Sequence, residues 1–170
     1  GKSPEPNMYW FTTSNNPNSQ PSIIFYVDGG KTTVNMNMDS LQTLSIKGGQ
    51  SQKDYEEYKA IMITFQLQQQ SIVNEYNQAR TANDINIMQA KQAEFEKLSG
   101  NVKEQLKNFI KTHSKSPVSG YIIDTEYANP VFTMPEVEEV IGFLDKSILE
   151  TKYGKLAKDR LATLQGTTIG

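Results

Sequence analysis

Ser45-Ile46-Lys47-Gly48-Gly49-Gln50-Ser51-Gln52-Lys53-Asp54-Tyr55-Glu56-Glu57-Tyr58 is the stretch in which the repeat of this sequence changes. On its N-terminal side the apolar residues alternate with polar ones, the period of a strand with one buried and one wet face. On its C-terminal side they recur at steps of three and four, the period of a helix. A chain that makes this switch once reads as α+β, a small antiparallel sheet followed by a helical subdomain.

Working back from the switch, Leu44-Ser45-Ile46 reads as a short closing strand. Before it, Val34, Met36 and Met38 alternate with Thr33, Asn35 and Asn37. Ile23-Ile24-Phe25-Tyr26-Val27 precedes that arm across Asp28-Gly29-Gly30-Lys31, whose glycines suit a tight turn, so the two arms are expected to pair as a hairpin. Met8-Tyr9-Trp10-Phe11-Thr12-Thr13 reads as a further strand and Ser14 to Gln20 as a polar spacer. The β portion is thus placed at residues 1–50.

Working forward, Ser51 and Asp54 read as a capping box that opens a long helix, with Tyr58, Met62, Phe65, Ile72, Tyr76 and Ala79 on its apolar face. A break at Arg80 to Asn83 leads to a second, antiparallel helix carrying Ile85, Met88, Phe95, Val102, Leu106 and Phe109, which Ser99-Gly100 is expected to bend. Each is expected to run for about 28 residues and reach about 42 Å, so part of the pair should project from the domain. The Gln66 to Gln70 tract reads as a solvated flank from which Leu67 alone reaches the core. Ser116 and Pro117 open a shorter helix with Val118, Tyr121, Ile122 and Tyr127, and Thr133 with Glu136 caps another that carries Val137, Val140, Ile141 and Leu144. A last helix is expected from Lys152 to Leu164, with Tyr153, Leu156, Ala157 and Leu161 inward. Residues 51–165 are read as the helical portion of the same domain, and 166–170 as a linker toward a C-terminal module.

Composition limits the chemistry. The chain of 170 residues has no cysteine and one histidine, which removes thiol chemistry, disulfides and cysteine-ligated zinc from its repertoire. A net charge of -2 with interleaved bases and acids gives no basic stripe for phosphate tracking, so a nucleic-acid partner is not expected. No apolar run approaches the roughly 20 residues of a membrane-spanning helix, and no transmembrane segment is expected in this chain.

The residues that invite a chemical reading are few. Gly29-Gly30-Lys31-Thr32-Thr33 resembles the end of a phosphate-binding loop, but Phe25 stands where the first glycine is needed and a strand follows instead of a helix. His113, in Lys111-Thr112-His113-Ser114-Lys115, suits the end of a helix, where it interacts favourably with the dipole. Glu56, Glu136 and Glu138 fall in first turns and are read as dipole partners. Asp124 and Glu126 are the acidic pair that no such role explains, and Trp10 is the aromatic residue placed away from the main core. Trp10, Asp124 and Glu126 are therefore the candidate surface contacts; no catalytic, cofactor-binding or metal-binding residue is assigned, and no cofactor.

Gly1-Lys2-Ser3-Pro4-Glu5-Pro6, the strand and turn from Ile23 to Lys31, Ser45 to Gly49 leading into Gln52 to Tyr58, Phe109 to Ser119, and Tyr153-Gly154-Lys155-Leu156 together resemble the DUF4369 domain. That domain lies N-terminal to a thioredoxin-like module in thiol-disulfide oxidoreductases of the TlpA/ResA/AhpC-TSA type, in the cell envelope of Bacteroides-like bacteria. The resemblance implies a noncatalytic N-terminal domain in the envelope or periplasm that positions or dimerises a C-terminal thioredoxin-like module in cell redox homeostasis. Its partners would be that module in the parent chain and, as a further candidate, a second copy in a homodimer, with the parent a candidate for membrane anchoring. The alternative is an independent peptide- or glycan-binding envelope protein.

Overall fold

In the computed structural model the described residues are 6–12, 22–37, 40–125 and 132–167. Strands come first, β1 (Asn7–Thr12), β2 (Ser22–Val27), β3 (Thr33–Asn37) and β4 (Ser40–Lys47). Helices follow, α1 (Gln50–Thr81), α2 (Ile85–Thr112), α3 (Pro117–Thr125), α4 (Met134–Gly142), α5 (Lys146–Leu149) and α6 (Lys152–Thr167). The α+β order of the sequence reading holds: the strands are antiparallel and N-terminal, and helices make up the rest.

The strands pair differently from the expected hairpin. β1 pairs with β2, from Asn7 opposite Val27 to Thr12 opposite Ser22, and β3 pairs with β4, from Thr33 opposite Lys47 to Asn37 opposite Ser40. The two arms around Asp28-Gly29-Gly30-Lys31 thus belong to separate two-stranded sheets. The reason lies at the edge of β2, where the Tyr26 backbone N–H donates to Gln52 Oε1 of α1 at 2.7 Å. A helix side chain occupies the place that a pairing strand would take. Gly29, at φ 76°, turns the chain away from β2.

The same turn opens α1. Asp28 Oδ2 accepts the Ser51 N–H at 2.7 Å, and a Cβ on Gly49 would run into the Asp28 carboxylate. The expected Ser51–Asp54 capping box is therefore not formed. The helix begins one residue earlier, at Gln50, and its orphan N–H is satisfied by an aspartate 23 positions upstream. Asp54 instead accepts from Gln50 Nε2 at 2.7 Å.

α1 and α2 form the antiparallel pair, 32 and 28 residues long, or about 48 and 42 Å. Asn83, at φ 55°, makes the turn between them, and Asp84 caps α2 by accepting the Ile87 N–H at 3.1 Å. α2 is continuous through Ser99-Gly100. The main core gathers at the base of the pair, where Val102, Leu106, Phe109 and Ile110 of α2 meet Tyr26, Tyr55, Val118, Ile122, Ile123, Val137 and Val140. Beyond Phe65 the pair projects, held by a seam in which Ile72 and Ala79 are buried. Leu67, expected inside, is 69% exposed: five residues at 3.6 per turn place it about 140° round the helix from the buried Ile72.

Ser116 Oγ accepts the Val118 N–H at 3.3 Å at the start of α3, with Pro117 in the first helical position. At α4 the Thr133 N–H and hydroxyl both donate to Glu136 Oε2 at 2.8 Å. Lys103 and Lys107 of α2 reach the same carboxylate at 3.2 and 3.4 Å, which ties the two helices. α5 has no counterpart in the sequence reading; Asp145 caps it by accepting the Ser147 N–H at 2.9 Å, and it buries Ile148. α6 continues past Leu164 through Gly166, so the expected linker begins inside a helix. Among the described residues no helix is long and apolar enough to cross a membrane.

Candidate functional site

Polar side chains converge where the first turns of α1 face the last turn of α2. His113 is the C-cap of α2: its N–H donates to the Phe109 carbonyl at 2.8 Å, and its Nδ1 lies 3.1 Å from the same oxygen. Its ring stacks on Phe109 with centroids 4.2 Å apart. These contacts aim Nε2 at α1, 3.5 Å from Glu57 Oε2 and 4.0 Å from Asp54 Oδ1. The imidazole thus ends α2, as the sequence suggests, and also bridges to α1. A shallow hollow of about 280 Å³ lies beside it, lined by Gln50, Ser51, Asp54 and the turn from Thr112 to Ser116.

The serines around this hollow are held by the backbone. Ser116 Oγ accepts from Val118, and Ser119 Oγ donates to the His113 carbonyl at 2.8 Å. The hydroxyl beside the imidazole is that of Thr112, whose Oγ1 lies 3.1 Å from His113 Nδ1 and is also tied to the helix backbone, donating to the Asn108 carbonyl at 2.8 Å; among the described residues no serine hydroxyl is hydrogen-bonded to the ring. Nor, among the described residues, does any group of three or more His, Asp or Glu side chains come together to hold a metal ion.

Behind the hollow lies a cluster of tyrosines. Tyr26 sits 5.3 Å from Tyr55, 6.5 Å from Tyr121 and 6.2 Å from Tyr153, measured between ring centroids, and Tyr58 is 6.2 Å from both Tyr55 and Tyr121. Burial, and then the neighbouring Tyr153, pushes the Tyr26 phenol far above its ordinary range; burial and Tyr121 act likewise on Tyr55. The Tyr26 hydroxyl is buried and has no hydrogen-bond partner among the described residues. On the far edge of the β1–β2 ribbon, the Tyr153 hydroxyl accepts the Met8 N–H at 3.0 Å. Met8 and Tyr26 are opposite each other in the register, so one rung of the ribbon is held from both sides, by Tyr153 of α6 and Gln52 of α1.

The residues singled out in the sequence do not form one site. Trp10 pairs through its backbone with Ile24, and its side chain lies outside the described residues, as does Glu126. Asp124 is half-buried in the last turn of α3, an element that packs on α6, α1, α2, α4 and α5. The aromatic surface that the structure does display belongs to Tyr9 and Phe11, 41% and 38% exposed, with Tyr9 stacked on Phe25 at 6.0 Å. Their signal was present in the strand period, since Tyr9 and Phe11 take the face opposite to Met8, which packs on the core. In comparisons with known proteins no family model matches this chain, and neither a curated protein nor a solved structure is significantly similar to it.

Proposed function

We propose that this chain is the noncatalytic, DUF4369-like N-terminal part of a cell-envelope thiol-disulfide oxidoreductase, positioning or dimerising a C-terminal thioredoxin-like module whose cysteines carry the electrons. The observation that supports this reading is where the residues that carry the resemblance sit. Asp28, Gly49, Gln52, Tyr58, Phe109, His113, Ser116 and Tyr153 all lie at the junction of ribbon and helices, where they cap, bridge and pack. A family pattern made of junction residues is one that preserves a scaffold. With no cysteine in the chain, disulfide exchange must be carried out elsewhere in the parent.

The coding sequence downstream of Gly170 and the activity of the isolated chain test this together. A Cys-x-x-Cys in a thioredoxin-like frame, and no insulin reduction by residues 1–170, are expected. A stop codon directly after Gly170, or reproducible turnover by the isolated chain, overturns the proposal.

The second reading, a peptide- or glycan-binding envelope protein, draws on the paired exposure of Tyr9 and Phe11, since exposed aromatic rings side by side suit sugar or peptide contacts. It requires that a peptide or glycan library contain members that raise the melting temperature, and that Tyr9→Ala with Phe11→Ala abolish that rise.

A further inference from the structure

The ring of His113 is surrounded by acceptors. Nδ1 lies 3.1 Å from the Phe109 carbonyl and 3.1 Å from Thr112 Oγ1, whose own proton is committed to the Asn108 carbonyl at 2.8 Å. Nε2 faces across the junction, in ion-pair range of Glu57 Oε2 at 3.5 Å and Asp54 Oδ1 at 4.0 Å. A neutral imidazole carries one N–H and one lone pair, whereas the imidazolium donates from both nitrogens. With acceptors on both sides, the imidazolium alone has a proton for each.

Each neutral form leaves one side in conflict. With the proton on Nδ1, the Nε2 lone pair faces two carboxylates. With it on Nε2, the Nδ1 lone pair faces the Phe109 carbonyl, and Thr112 must give up its bond to Asn108 to supply a proton.

The charges on the packed elements set the sign. α1 presents the buried Asp54, Glu57 and, one position before Asp54, the exposed Lys53. Glu56 is engaged elsewhere, with Gln52 Nε2 at 2.6 Å and Lys59 at 2.7 Å. On the helix of His113 itself, Lys111 lies over the Phe143 ring, 5.8 Å from its centroid. Lys115 lines the hollow, and α3 brings no charge before Asp124. From the turn before α5, Asp145 meets this segment through its backbone N–H, which donates to the Ser114 carbonyl at 2.9 Å. The two carboxylates of α1 are therefore the charges that Nε2 meets directly.

We propose that His113 is a pH-sensitive clasp: when protonated it ties the end of α2 to the first two turns of α1, and on losing its proton it lets go. Those turns also receive the Asp28 carboxylate and carry Gln52, so the clasp bears on the junction with the β1–β2 ribbon. It is internal to this chain and stands apart from the redox module proposed above.

Unfolding equilibria of residues 1–170 at about pH 5.5 and about pH 8, on either side of the ordinary imidazole range, test it. Folding holds the proton in this scheme, so the contribution of the clasp is full on the acid side and is lost as pH rises. His113→Gln is expected to lower the folding equilibrium constant about two- to fivefold more at the acid pH than at the alkaline one. The loss of ring packing on Phe109 is common to both conditions and cancels. Glu57→Gln, at a side chain 58% exposed, is expected to show an excess loss of the same sign, and none once His113 is already replaced. That variant keeps the test decisive should His113→Gln fail to fold. A His113→Gln loss that is equal at both pH values overturns the proposal, as does a Glu57→Gln effect that does not depend on pH.

Discussion

Gln52 Oε1 accepts the backbone N–H of Tyr26 at 2.7 Å, and both residues are buried. The amide of a helix residue closes the edge of a strand. Removing it leaves a buried N–H without a partner, which costs about 1–3 kcal/mol. Gln52→Ala should lower unfolding free energy by that amount in chemical denaturation, and amide exchange at Tyr26 should accelerate more than at Phe25.

The phenol of Tyr26 gives the opposite sign. Its hydroxyl is buried with no partner among the described residues, so Tyr26→Phe removes an unsatisfied polar group and should be neutral or stabilising at neutral pH. The folded-state pKa of this phenol is raised above the unfolded value, so its contribution to stability is complete below about pH 10 and is lost as pH rises beyond it. Denaturation midpoints followed from pH 9 to 11 should fall less steeply for Tyr26→Phe than for the wild type.

Glu136 governs the acid side. Burial acts to raise its pKa, but hydrogen bonds from Thr133, Lys103 and Lys107 outweigh it and hold the carboxyl down to about 2. A depressed folded-state pKa stabilises the fold above the ordinary carboxyl range, and that stability is lost as pH falls from about 4.5 toward 2. Solvent reaches the lysine contacts, so roughly 1–2 kcal/mol is expected instead of the full shift. Glu136→Gln should lose stability at pH 7 and flatten the acid limb of the stability profile; an unchanged limb would argue against this network.

Leu67 and Ile72 differ only in phase along α1. Leu67→Ala should change stability by less than about 0.5 kcal/mol, while Ile72→Ala, buried in the seam, should cost about 2–4 kcal/mol. Thermal melts of the two variants measure the difference.

What was legible in the sequence was whatever one segment decides for itself. The change of period near Ser51, the helix turn near Asn83, the Thr133–Glu136 box and the Ser116-Pro117 start all depend on residues within a few positions of one another. What escaped depended on partners distant in sequence. β2 turned from β3 because Gln52 met its edge, and α1 was capped by Asp28 instead of by its own Ser51. Leu67 was assigned to the core on its chemistry, although the heptad phase set by Met62, Phe65 and Ile72 places it outside. The site was less legible still. Nothing local to His113 signals that its ring reaches Glu57 across the junction, and strand alternation separates Trp10 from Tyr9 and Phe11 without saying which face is turned to the core, whereas the structure exposes Tyr9 and Phe11.

The bond between Met8 and the Tyr153 hydroxyl also fixes how the molecule would carry tension. A pull applied between β1 and α6 loads that phenol directly, while the pairing of β1 with β2 and the Tyr26–Gln52 bond lead part of it into the base of α1. The part of α1 beyond Phe65 runs past that junction with α2 beside it, like the arm of a lever beyond its clamp.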